Sequence, residues 1–250
     1  MQWLVWFIVW SCVVLEVAIV AFLLRWRVWN SFPAYFGYVV FVLLKAVVLF
    51  ATLPHPQTYF LAYWLTAPVE ILLTILATLE SFWRQLRSFR LLRWFRYALP
   101  AAISTALAYA AWQGYRFPPV QATPAQAAII NATVAAHYVI LAVALLFFVL
   151  VAFLHVSWRI HEHRFVLGFA VASLAASFGG SIRAVFGSHF EFVSREAQPL
   201  GYLVALFIWL SGAVHPVPAQ QGSAQLSVEN VDDLKFHLRN VRSFVRNNVR

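Results

Sequence analysis

Charge is scarce in this chain. Asp, Glu, Lys and Arg together make up 11% of its 250 residues, against about a quarter in a soluble domain. Too few charges remain to cover a soluble surface. Cysteine is scarcer still. The one thiol, Cys12, excludes an intramolecular disulfide and a cysteine-based zinc site. The sequence also contains no Gly-rich phosphate loop, nucleophile elbow or HExxH pair, so the common signatures of nucleotide, ester and zinc-protease chemistry are missing. What is abundant is apolar. AVILMFWYC accounts for 62% of residues, aromatic side chains for 17%, and the mean hydropathy is +0.75. The composition specifies an integral membrane protein.

Seven apolar stretches match the length needed to cross a bilayer, since about 20 helical residues cover a hydrocarbon core of about 30 Å. They are 3–24, 34–53, 58–82, 97–114, 129–154, 165–187 and 199–215. The expected fold is therefore all-α. A seven-helix transmembrane bundle occupies 1–215, a flexible linker 216–226, and an amphipathic helix 227–250. The first stretch has no basic residues ahead of it and is too long for the apolar core of a signal peptide. It is read as a retained anchor.

The basic residues fix an expected orientation. Arg25 and Arg27 follow the first span, Arg84, Arg87, Arg90, Arg93 and Arg96 the third, and Arg159 and Arg164 the fifth. Lys235, Arg239, Arg242, Arg246 and Arg250 follow the seventh. In a seven-span layout all of these face one side, while the opposite loops hold only Arg116 and Arg195. The N-terminus is then outside and the C-terminus cytoplasmic, as in a bacterial inner membrane. The net charge of +9 reflects this asymmetry and not nucleic-acid binding. The five arginines after span three alternate with Phe82, Trp83, Phe89, Trp94 and Phe95. They are expected to contact anionic lipid headgroups or a protein partner. In the tail, Val231, Leu234, Leu238, Val241 and Val245 form a heptad-like stripe, suited to the inner leaflet or to a partner helix.

Small residues recur every fourth position along span six at Gly168, Ala172, Ala176, Gly180 and Ala184. In lipid, such rows let helix backbones approach. They are expected to mark a tightly packed internal helix, or else a dimer interface or a sliding surface.

Charges inside spans are costly and are functional candidates for that reason. Glu16, Lys45 and Glu70 fall at similar depth near the midplane, and Arg183 lies towards one end of span six. On span three Tyr63, Thr66, Glu70 and Thr74 share a helical face with Pro68 beside them. The expected pair is Lys45 with Glu70, with Glu16 as a competing or additional partner. Two readings stay open: a structural ion pair in a hydrogen-bonded core, or a proton, ion or ligand site in a hydrated cavity.

His137 and His155 lie eighteen residues apart on one face of span five, a spacing that would suit stacked haems. The partner histidines that two haems need are absent from suitable positions. His155, His161 and His163 form a cytoplasmic cluster that is a weak metal candidate. No cofactor is expected, whether haem, retinal or metal.

Seven spans with an outer N-terminus resemble the rhodopsin-like layout. Its motifs do not follow, because 199–215 has no retinal-binding lysine and neither DRY nor NPxxY occurs. Phe32-Pro33-Ala34-Tyr35, Tyr59-Phe60-Leu61-Ala62-Tyr63-Trp64 and Phe207-Ile208-Trp209-Leu210 resemble segments of uncharacterised bacterial seven-helix membrane proteins. That resemblance implies the bundle fold and no particular activity. Short loops and a bare bundle favour a non-enzymatic sensor or a structural subunit of a membrane complex. The Glu16–Lys45–Glu70 constellation supports the alternative, a small-solute, ion or proton transporter. A membrane enzyme is the least supported class.

Overall fold

The computed structural model describes residues 2–86, 95–116, 123–154, 160–186 and 191–215. These residues form seven α-helices and no strand: α1 (Gln2–Arg25), α2 (Pro33–Thr52), α3 (Pro56–Gln85), α4 (Phe95–Arg116), α5 (Pro124–Phe153), α6 (Ile160–Phe186) and α7 (Glu191–Ala213). A 3₁₀ turn at Val28–Asn30 joins α1 to α2, entered through Arg27 in a left-handed conformation. The expected linker and tail helix, and Arg87, Arg90, Arg93 and His155, lie outside the described residues. Arg96 and Arg183 lie within helices, but their side chains are outside the described set.

The chain is a helical membrane protein. Four helices are long and apolar enough to cross a bilayer: Trp6–Arg25, Pro33–Thr52, Pro56–Gln85 and Pro124–Phe153. The same measure does not single out α4, α6 or α7 over their described residues. Their composition explains this. α4 mixes alanine with Ser104, Thr105 and Gln113, and α6 carries Gly168, Ser173 and Ser177. Small and hydroxyl-bearing residues serve helix packing but add little hydropathy.

Proline sets several helix boundaries. Pro33, Pro56 and Pro124 each stand in the first turn, where the missing N–H costs nothing. α5 starts five residues before the expected 129, because Thr123 and Gln126 form a reciprocal capping box. Pro199 was expected to open the seventh helix. It lies inside α7 instead, which begins at Glu191. Pro100 likewise lies beyond the first turn of α4, and Pro68 interrupts α3.

The helices close into a ring. α1 packs on α2 and α7, α2 on α3, α3 on α5 and α6, and α6 on both α5 and α7, while α4 rests on α5. The α6–α7 seam is the tightest. A Cβ at Gly168 would overlap the Trp209 indole, and one at Gly201 would overlap Ala175. Trp209 is fully buried and its indole N–H donates to the Phe165 carbonyl at 3.0 Å. Around it sit Tyr35, Tyr38, Phe165 and Phe169, with the Tyr35 and Phe165 rings stacked at 3.8 Å.

The N-terminus of α2 is capped from another helix. Phe32 offers no capping side chain. The Glu80 carboxylate of α3 accepts from the Ala34 and Tyr35 N–H groups at 3.2 and 3.0 Å instead. It satisfies two of the orphan donors there and faces the positive end of the helix dipole.

Candidate polar site within the bundle

A partly open cavity of about 450 Å³ lies between five helices, with α2, α3, α5, α6 and α7 each supplying a wall. This volume suits a small organic molecule. Its lining is mostly apolar, with a few convergent polar groups.

Lys45 of α2 and Glu70 of α3 meet at the cavity as a hydrogen-bonded ion pair. The Lys45 side chain is 13% exposed and that of Glu70 33%. The carboxylate is therefore the more exposed half of the pair, and both halves line the cavity. Tyr63 sets its ring 5.3 Å from the Lys45 ammonium, a cation–π contact that supports the charge from the other side. Thr66 and Thr74 share the face of Glu70, but their hydroxyls do not reach the pair. Thr66 donates to the Ala62 carbonyl at 2.8 Å and Thr74 to the Glu70 carbonyl at 2.7 Å. Each satisfies its own hydroxyl on the preceding turn. Thr74 lines the cavity; Thr66 is not part of its wall.

Glu16 does not join Lys45. It lies on α1, 3% exposed, and its Oε1 accepts from the Tyr202 hydroxyl of α7 at 2.7 Å. Tyr202 also lines the cavity, whereas Glu16 is not among the lining residues. Tyr38 lies beside Tyr202 and Thr74, within electrostatic range of both Glu16 and Glu70. On the far wall the His137 ring nitrogen and the Ser173 hydroxyl are 3.2 Å apart, joining α5 to α6. Gln198 adds an amide from α7.

Sequence reasoning did not find Tyr202, Gln198 or Glu80 as polar anchors. The periodic face of α3 was visible because its polar residues share one helix. Tyr202 sits alone in the apolar run GYLVALF and becomes significant only when α7 packs on α1.

Arg84, expected to contact lipid headgroups or a protein partner, also has contacts within the chain. It donates to the Ser31 carbonyl at 2.6 Å, lies 3.9 Å from Glu162, and stacks its guanidinium 4.4 Å over Phe32. His161 and His163 do not converge on one point. His161 Nε2 lies 2.9 Å from the His215 carbonyl, whereas the His163 ring packs edge-on against Phe147 at 5.1 Å. Among the described residues no group of three possible metal ligands comes together. His161 precedes the apolar stretch of α6 that starts at Phe165, and burial holds its imidazole below the usual value.

No family model, curated protein or solved structure matches this chain.

Proposed function

We propose that this chain is a seven-span, non-enzymatic protein of a bacterial inner membrane, with its N-terminus outside and its C-terminus cytoplasmic. It acts as a sensor module that takes a small polar solute into the cavity beside Lys45 and Glu70. The observation that carries this reading is the location of the ion pair: it faces a cavity walled by five helices, where a purely structural pair would be packed shut. An incoming solute can exchange contacts with the ammonium and carboxylate. Because α6 and α7 form two of the walls, occupancy changes the packing that the rest of the bundle feels. The short loops leave output to a protein partner or a second copy, with the basic segment after α3 and the 227–250 tail as cytoplasmic contacts.

Two prolines favour transport as the second reading. Pro68 lies two residues from Glu70, and Pro199 lines the cavity. Each removes a backbone hydrogen bond beside the site, as in the interrupted helices of many transporters.

One experiment tests the solute reading. Purified protein in lipid nanodiscs is heated with a panel of amino acids, betaines, polyols and small carboxylates. A stabilising compound should lose its effect in Lys45→Met. If no compound shifts the transition, or the shift survives that change, the solute reading fails. Flux of the active compound into liposomes separates transport from sensing. Reporter fusions at Gln85 and after Arg250 should both read cytoplasm, and an external signal at either site overturns the topology.

A further inference from the structure

Glu16 stands apart from the ion pair. Its Oε1 has the Tyr202 hydroxyl, but its Oε2 is buried and has no hydrogen-bond partner among the described residues. No Lys or Arg stands within ion-pair distance of it among them. The titratable groups around it are Cys12 one turn earlier on α1, Tyr202 on α7, Tyr38 on α2 and Glu70 on α3. The cation that lines the cavity, Lys45, is already held by Glu70. An ionised Glu16 would be a buried charge with one hydrogen bond and no counter-ion, an arrangement that proteins avoid by neutralising the group.

Tyr202 has a second contact that a structural hydrogen bond does not require. The same side chain that touches Glu16 lines the cavity. Tyr202 thus both hydrogen-bonds the buried carboxyl and borders the cavity.

We propose that Glu16 is a proton-binding carboxylic acid, neutral in the resting protein, that exchanges its proton with the cavity through the Tyr202 hydroxyl. On loading, the Tyr202 O–H bond breaks as the Glu16 Oε1–H bond forms. The phenol oxygen takes a proton from a hydronium ion in the cavity, which is left as water. Release is the reverse. The exchange stands on Glu16, Tyr202 and the cavity, and needs no bound solute, so it survives if the solute reading fails.

Infrared spectroscopy of the protein in nanodiscs tests it without a ligand. At neutral pH the wild type should show the carbonyl band of a protonated carboxyl, moving down in frequency in D₂O. The band should vanish in Glu16→Gln and persist in Glu70→Gln. Glu16→Asp should shift the band, which keeps the assignment testable if the glutamine variant misfolds. Tyr202→Phe should keep the band and slow its D₂O shift. A wild type without the band, or a band that survives Glu16→Gln, overturns the proton site. Unchanged exchange in Tyr202→Phe overturns the route.

Discussion

Breaking the Lys45–Glu70 pair from either side should cost unequal amounts. Glu70→Gln leaves an ammonium whose side chain is 13% exposed. Its remaining support is the Tyr63 ring. Removing one partner of a buried pair costs about 3–5 kcal/mol, and the slight exposure places this variant near the lower end, about 3 kcal/mol. Lys45→Met leaves a carboxylate whose side chain is 33% exposed and borders the cavity. Water there can solvate it, so the loss is smaller, about 1–2 kcal/mol. The double variant removes both charges and should return to within about 1 kcal/mol of wild type, giving a coupling of roughly 3–5 kcal/mol. At about 2–4 °C per kcal/mol for a chain of this size, Glu70→Gln should melt roughly 6–12 °C early. Scanning fluorimetry of the four proteins in one detergent reads the cycle. Additive and harmless single changes would refute the pair. Lys45→Met more damaging than Glu70→Gln would refute the reasoning from the carboxylate's greater exposure.

Gly168→Ala should lower the melting temperature by an amount equivalent to about 1–3 kcal/mol, because its methyl meets the rigid Trp209 indole; an unchanged transition means that the α6–α7 seam is looser than described. Glu80→Ala should cost about 1–2 kcal/mol by uncapping α2, and Glu80→Gln, which keeps an acceptor, should cost less by the same melting assay. Lower pH should destabilise the fold through His161. Its folded-state affinity for protons is depressed, so the unfolded state binds more protons, and stability is lost as pH falls through the ordinary imidazole range, about 6.5. Melting curves of wild type and His161→Gln between pH 7.5 and 5.5, roughly one unit either side of that value, should diverge, with the variant less sensitive. Parallel curves would dismiss His161 as a contributor.

Helices were legible wherever apolar runs were long and uniform, as in α1, α2 and α5. Boundaries were less so. Pro199 looked like a start signal, yet α7 continues through it from Glu191, since one missing backbone bond does not end a helix held by neighbours. Spans over α4, α6 and α7 were expected from the length of their apolar stretches and from loop charge, but hydropathy over their described residues does not single these helices out. Lys45 with Glu70 could be anticipated because two opposite charges at equal depth have a strong reason to meet. Glu16 offered the same argument and went elsewhere. Nothing local to Glu16 identifies Tyr202, 186 residues away, because that contact depends on which helices become neighbours. The Thr66 and Thr74 hydroxyls illustrate the opposite limit. A shared face was correctly spaced, but each hydroxyl found a nearer acceptor on its own backbone.

The closure of α7 against α1 has a consequence for how the chain is made. Synthesis delivers Glu16 first and Tyr202 last among their contacts, and α7 also brings Trp209 to the Phe165 carbonyl and to the glycine at 168. Until then the nascent bundle holds a carboxyl, a carbonyl and an aromatic pocket without the partners they have in the finished protein. α7 thus supplies all three missing partners at once. A chain truncated before Glu191 exposes all three defects together, which gives membrane quality control a distinct feature by which to tell an unfinished copy from a finished one.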